Sequence, residues 1–205
     1  MASPPLTPEP PALFIIAGPN GSGKSSAYRN VKLAWNDRDI WINNPDILTV
    51  RLQISENLPK DDANLQAVKR IESWLYSSVD VHQTIGVETV LSTDKYRKLV
   101  EHARGRGFQI VLIYVVLDSP ELNVERVKNR AAEGGHDVPV EKIHERYWRS
   151  LEQFPWFLKN ADRAWVYNNS GGSLRLMAMK EGTTISFEES ALEVIKAAIK
   201  TIQSG

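Results

Sequence analysis

The chain has 205 residues, 25 Lys plus Arg against 25 Asp plus Glu, and no cysteine. That length suits one sizeable core and excludes two full nucleotide-binding domains, and the balanced charge leaves no overall basic field to draw the protein to nucleic acid or an anionic membrane. Without thiols there are no disulfides, thiolate zinc sites or cysteine nucleophiles, a composition that fits a reducing, cytoplasmic setting.

Residues 1–11 hold five of the eleven prolines and almost nothing apolar, the composition of an extended, poorly ordered tail. The stretch lacks a basic region followed by an apolar one, and no run approaches the roughly 18 apolar residues of a spanning helix. A soluble, unexported single domain over residues 12–205 is expected. It opens with Ala12-Leu13-Phe14-Ile15-Ile16-Ala17, which reads as a buried strand. Gly18, Pro19, Asn20, Gly21, Ser22, Gly23, Lys24 and Ser25 follow, fitting the P-loop pattern G-x-x-x-x-G-K-[ST] between a strand and a helix-compatible segment that starts at Ser26. Three glycines within six residues let backbone N–H groups curl around an anion. Lys24 can then reach the outer phosphates, and the Ser25 hydroxyl is placed to ligate Mg²⁺. These residues, with Ser26, form the expected nucleotide-binding set.

Residues 26–34 suit the first helix and residues 39–43 a short second strand, which Pro45 terminates. Leu65, Val68, Ile71, Leu75 and Val79 recur at helical spacing, giving a long helix that starts near Asp61 or Asp62. Residues 87–92 are rich in β-branched side chains and read as a third strand. Tyr96, Leu99, Val100 and Ala103 mark the next helix, and the apolar run 108–117 implies a strand buried on both faces of a parallel sheet. Asp118-Ser119-Pro120 offers a cap and a first-turn proline for a helix to about Ala132; after the Gly134-Gly135 break comes a helix with Ile143, Tyr147 and Leu151 on one face. A last parallel strand over 164–167, a hairpin and a helix from about Glu189 complete the chain. This alternation predicts a three-layer α/β/α fold of P-loop NTPase type, with a mainly parallel sheet, a helical lid over about 126–150, and ligands at the carboxyl ends of the strands.

Several polar residues fall at those ends. Asp46 is placed either to accept the proton of an attacking hydroxyl or to cap the helix or turn after Pro45. Glu88 suits substrate hydroxyls, a magnesium-bound water or a solvated strand edge. Arg126 and Arg130 lie four apart on one helix face with no acid four residues away, so an anion between them would relieve their repulsion; Arg146 and Arg149 can complete such a clamp. Asp118 matches either a metal-holding aspartate or a helix cap, and His136 with Asp137 either a metal pair or lid packing.

The ordered set Ala17 to Ser25, Asn44-Pro45-Asp46, Glu88-Thr89-Val90-Leu91-Ser92, Arg130 with Glu133 to Pro139, Arg146-Tyr147 with Arg149-Ser150-Leu151, and Tyr167-Asn168-Asn169-Ser170 resembles the zeta-toxin family of P-loop small-molecule kinases. The resemblance implies ATP- and Mg²⁺-dependent phosphorylation of a sugar hydroxyl on a nucleotide sugar such as UDP-N-acetylglucosamine, by a toxin paired with an antitoxin. It makes Asp46 the general base, Lys24 and Ser25 ligands of triphosphate and magnesium, Glu88 an acceptor-binding residue, and Arg130 and Arg146 the pair stabilising the transferring phosphoryl group; Ser92, at an acceptor position of the family's strand motif, and Arg126, on the anion-facing side of its helix, complete the expected acceptor and nucleotide sites. Val90 and Ser92 stand where that family's strand motif has threonine and arginine. Valine cannot hydrogen-bond a sugar, and serine cannot clamp a diphosphate as arginine does. The alternatives are an ATPase or nucleotide-binding module without acceptor phosphorylation, or a kinase acting on another nucleotide-type acceptor.

Overall fold

The computed structural model describes residues 10–30, 34–35, 38–135 and 137–204; most of the proline-rich tail and His136 lie outside them. Strand β1 (Ala12–Ala17) is buried at all six positions, as an aliphatic strand covered on both faces must be. The P-loop leads into α1 (Lys24–Asn30), which ends before the expected residue 34. A two-residue antiparallel pair follows, β2 (Ala34–Trp35) with β3 (Arg38–Asp39), so Asp39 belongs to it and β4 is only Ile42–Asn43.

Helix α2 (Pro45–Ser55) occupies a stretch where Pro45 reads as a stop. Proline at the first helical position loses an N–H that had no partner anyway, so it starts this helix. Asn44 caps it, accepting from the N–H of Asp46 at 2.9 Å and of Ile47 at 3.3 Å. Ile47, Val50 and Ile54 are exposed while Leu52 is buried, so no single apolar stripe announces the helix. Next is α3 (Lys60–Asp80), which buries Ala63, Ala67, Ile71, Leu75 and Val79 and leaves Leu65 exposed, shifting the inner face from the expected one. The remaining elements are β5 (Ile85–Thr89), α4 (Arg97–Gly105), β6 (Gln109–Val116), α5 (Pro120–Ala132), α6 (Val140–Asn160), β7 (Arg163–Asn168), β8 (Arg175–Glu181), β9 (Thr184–Phe187) and α7 (Glu193–Gln203).

The seven-stranded sheet has the order β4-β5-β1-β6-β7-β8-β9. Its first five strands are parallel and the hairpin β8–β9 continues it antiparallel. Leu13, Ile15 and Ala17 share the main core with Leu75 of α3, Leu99 of α4, Phe154 of α6 and Ile195 of α7. The other side of β1 packs Phe14 with Ile40 and Val111, and Ile16 with Ala27 of α1. Helices therefore lie on both faces of an α/β sheet. Because Ala17 is level with Thr89 and Asn43 with Val87, the P-loop, Asp46 and Glu88 all leave the same end of the sheet, where ligands of such folds bind.

Candidate active site

Gly18 leaves β1 at φ +143°, and a Cβ there would lie 1.9 Å from the Val115 carbonyl oxygen. Gly23 has φ +91°, and its Cβ would lie 2.2 Å from Asn169 Nδ2. Only glycine fits either place. The loop is gripped from outside: Asn169 Nδ2 donates to the Ser22 carbonyl at 2.9 Å, and Asn123 Nδ2 to that of Asn20 at 2.5 Å. Lys24 Nζ donates to the carbonyls of Gly18 at 2.7 Å and Pro19 at 2.9 Å. Among the described residues nothing accepts from the N–H groups of Gly21, Gly23, Lys24 or Ser25, leaving a set of donors at the positive end of α1 for an anion. Burial pushes the Lys24 ammonium below its ordinary pKa, with the Glu88 and Asp46 carboxylates opposing the shift and Arg130 adding to it.

A cavity of about 230 Å³ opens beside the loop, lined by Asn20, Gly21, Lys24, Asp46, Glu88, Val90, Ser92, Arg130 and Arg146 among others. Asp46 reaches it from the first turn of α2 and is exposed; Asn44 does the capping, so the carboxylate is not spent on the helix end. Glu88 lies at the end of β5, where both carboxylate oxygens accept from the Ser25 hydroxyl, at 3.1 and 3.3 Å. A hydroxyl and a carboxylate are hard oxygen donors of the type Mg²⁺ takes together with phosphates, so these two residues fit the ion. The strand expected to run to residue 92 stops at Thr89, because the buried Leu91 takes φ +59°. Thr89 Oγ1 accepts from the Leu91 N–H at 3.0 Å. This turn brings Val90 and Ser92 into the cavity wall and costs about 1–2 kcal/mol for a non-glycine residue.

Arg130 and Arg146 reach the cavity from α5 and α6, and Arg146 Nη1 donates to Asn20 Oδ1 at 3.4 Å. The Gly134-Gly135 break packs against the first of them: Gly135 N–H donates to the Arg130 carbonyl at 2.8 Å, and a Cβ on Gly135 would lie 2.6 Å from Arg130 Cγ. Beside Arg146, Tyr147 donates to the Leu117 carbonyl at 2.9 Å. Burial raises that phenol to about 12, so it remains a donor and pins α6 to the end of β6.

Other candidates do not line this cavity. Arg126 turns to the β7–β8 loop, donating to the carbonyls of Asn169 at 2.6 Å and Ser170 at 3.1 Å, and is not in the cavity wall. Arg149 pairs with Glu145 at 2.8 Å on the surface. Ser26 is exposed on α1. Asp118 neither caps α5, whose cap position is Ser119, nor lines the cavity; its carboxylate accepts from Asn168 Nδ2 and its N–H donates to Ser170 Oγ at 2.8 Å. Asn123 and Asn169 hold the loop; the first stands in no motif and the second stands in the Tyr167-Asn168-Asn169-Ser170 motif without an assigned role, because each acts across more than 100 residues of chain.

A glycine-rich loop with its buried lysine, set between β1 and α1 at the carboxyl end of a mainly parallel sheet, defines a P-loop nucleotide-binding domain. The sequence matches the AAA domain family over residues 13–153, and the chain belongs to that family. A curated relative, an uncharacterized protein of Haemophilus influenzae, is 26% identical over 134 residues, 65% of this chain and 91% of its own. The AvrRxo1-ORF1:AvrRxo1-ORF2 complex with ATP superposes with a TM-score of 0.66 at 17% identity, covering 93% of this chain but 63% of that one, and the complex with sulphate ions gives 0.68. This chain thus spans under two thirds of the length of that match. The PezAT toxin-antitoxin system of Streptococcus pneumoniae gives 0.62 at 16% identity over 96% of this chain and 86% of that one. A putative kinase of Chloroflexus aurantiacus gives 0.53 at 17% over 66% and 76%. At these identities the structures share the fold, which is the one the zeta-toxin resemblance implies. No helix among the described residues is long and apolar enough to cross a membrane.

Proposed function

We propose that the protein is an ATP-dependent phosphotransferase acting on the hydroxyl of a small-molecule acceptor. The observation that carries this reading is that Asp46 and the P-loop Lys24 line one cavity from different elements, with Arg130 and Arg146 in the same wall. In the proposed reaction Asp46 accepts the proton of the acceptor hydroxyl, whose oxygen bonds to the terminal phosphorus as the bond to the bridging oxygen breaks and ADP leaves. Lys24, Arg130 and Arg146 stabilise the charge on the transferring group. Ser25 and Glu88 would hold Mg²⁺, which when bound neutralises phosphate charge. The ATP-bound neighbour of the same fold supports the choice of nucleotide.

Within that class, the zeta-toxin resemblance favours a nucleotide sugar, UDP-N-acetylglucosamine first, with Glu88 and Ser92 touching the acceptor. The PezAT likeness supports a toxin paired with an antitoxin; the absence of thiols favours the cytoplasm as its setting, and the Gly134-Gly135 break favours the segment over about 126–150 as its lid. Because Val90 removes one acceptor contact of that family and Ser92 replaces its arginine with a neutral side chain, hydrolysis of ATP without an acceptor is the second reading. Incubation with labelled ATP and a panel of nucleotide sugars, nucleosides and simple hydroxyl compounds separates the two. Transfer to an acceptor is expected; turnover that no acceptor changes would overturn the proposal. Growth after induction, with Asp46→Ala as control, tests toxicity.

A further inference from the structure

A second cavity of about 280 Å³ adjoins the first and shares Asp46, Val138 and Arg146 with it. The two form one cleft with Asp46 on the dividing wall. The second part is bounded by α2, the first turn of α3, and the segment from Asp137 into α6. A molecule whose hydroxyl meets Asp46 can extend into it, away from the P-loop.

Two lysines line this space from different helices. Lys60 is the first residue of α3 and Lys142 lies in the first turn of α6. Both are exposed, and among the described residues neither joins an ion pair. Each is also badly placed for its own helix, since a cation at the N-terminal end opposes the helix dipole. The two helices start after Pro59 and Pro139, and no side chain caps either. The cleft has three carboxylates too: Asp137 Oδ1 accepts from the Val138 N–H at 2.8 Å, Asp61 sits in the first turn of α3, where the dipole favours an acid, and Asp46 also lines the first cavity. Gln53 and Asn64 add neutral amides. Cations that break a local rule with no compensating partner point to a partner that binds.

We infer that this second cleft seats the body of the acceptor and that Lys60 and Lys142 hold an anionic group on it, a phosphate or a carboxylate. The inference rests on the phosphotransferase reading and narrows it to hydroxyl compounds that carry such a group. An anion gripped by both lysines ties the start of α6 to the start of α3, and α6 also carries Arg146. A neutral alcohol lacks that hold.

The test uses the full chain labelled with ¹⁵N and saturated with a non-hydrolysable ATP analogue, titrated with inorganic phosphate and, separately, with acetate. Shifts of the amides of residues 60–64, 137, 138 and 140–142 are expected, and the anion giving the tighter curve identifies the group. Lys60→Ala and Lys142→Ala should each weaken the response by about fivefold or more, together abolish it, and the two Arg variants should restore it. Analogue affinity should stay unchanged in all of them. Absence of shifts in these segments, or an equal response in the double Ala variant, overturns the inference. Failure of the wild type to bind the analogue instead overturns the phosphotransferase reading, and the anion response is then scored alone. With an acceptor from the labelled-ATP screen, Lys60→Ala should raise KM about tenfold and leave kcat within about threefold.

Discussion

The Ser25 hydroxyl donates to the Glu88 carboxylate, 3.1 Å from one oxygen and 3.3 Å from the other, joining the start of α1 to the end of β5. The bond sets a hydroxyl and a charge side by side next to the anion-binding loop. Glu88→Gln keeps an acceptor for Ser25 and removes the charge. Phosphoryl transfer should fall by about tenfold to a hundredfold, with recovery as Mg²⁺ is raised, as for residues that support a metal. Rates measured across a magnesium titration check this, and an unaltered magnesium dependence would remove Glu88 from the metal site.

Asp46 and Asn44 are two residues apart with separate tasks. Since Asn44 accepts from the N–H groups of Asp46 and Ile47, Asn44→Ala should cost about 1 kcal/mol of stability. Asp46→Asn should leave denaturation nearly unchanged, keep ATP binding, and lower transfer by about 10² to 10⁴, the range of a lost general base. Denaturant melts paired with acceptor kinetics separate the two, and normal transfer by Asp46→Asn would end its role as base.

Lys24 is buried and its pKa is lowered from 10.5. Between the folded-state value and 10.5 the unfolded chain binds more protons than the folded one, so this group makes stability rise with pH across that window. Below the window its burial opposes folding. Lys24→Met should lose that component of the pH dependence and bind ATP far more weakly. Thermal melts of the nucleotide-free proteins from neutral pH to about pH 10 give the comparison, and identical slopes would show that Lys24 titrates no differently in the folded chain.

Gly23→Ala drives a Cβ to within 2.2 Å of Asn169 Nδ2 at a backbone φ of +91°. A destabilisation of about 1–2 kcal/mol or more is expected, with loss of nucleotide affinity. Adding Asn169→Ala should recover the part due to the clash and leave the part due to the backbone. If the double variant is no more stable than Gly23→Ala alone, Asn169 is not what confines the loop.

Local chemistry wrote the P-loop into the sequence: glycine spacing, the aliphatic strand before it and the lysine at its end each act within a few residues, and they sit where they were expected. Strand β6 and helix α5 were legible for the same reason. Asn44-Pro45 reads as an ending when followed as a strand and proves to be a beginning, because proline at the first helical position is neutral and Asn44 supplies the cap. Leu91 gives no sign of its left-handed turn, which its burial in the main core holds in place. Spacing puts Arg126 and Arg130 on one helix face as equal candidates, yet one turns to the carbonyls after β7 and the other to the cavity. Their difference is decided by what lies opposite each side chain, and that is fixed only when parallel strands distant in sequence are brought into register. Sequence determined which groups can bind phosphate; long-range packing determined which of them share a cavity.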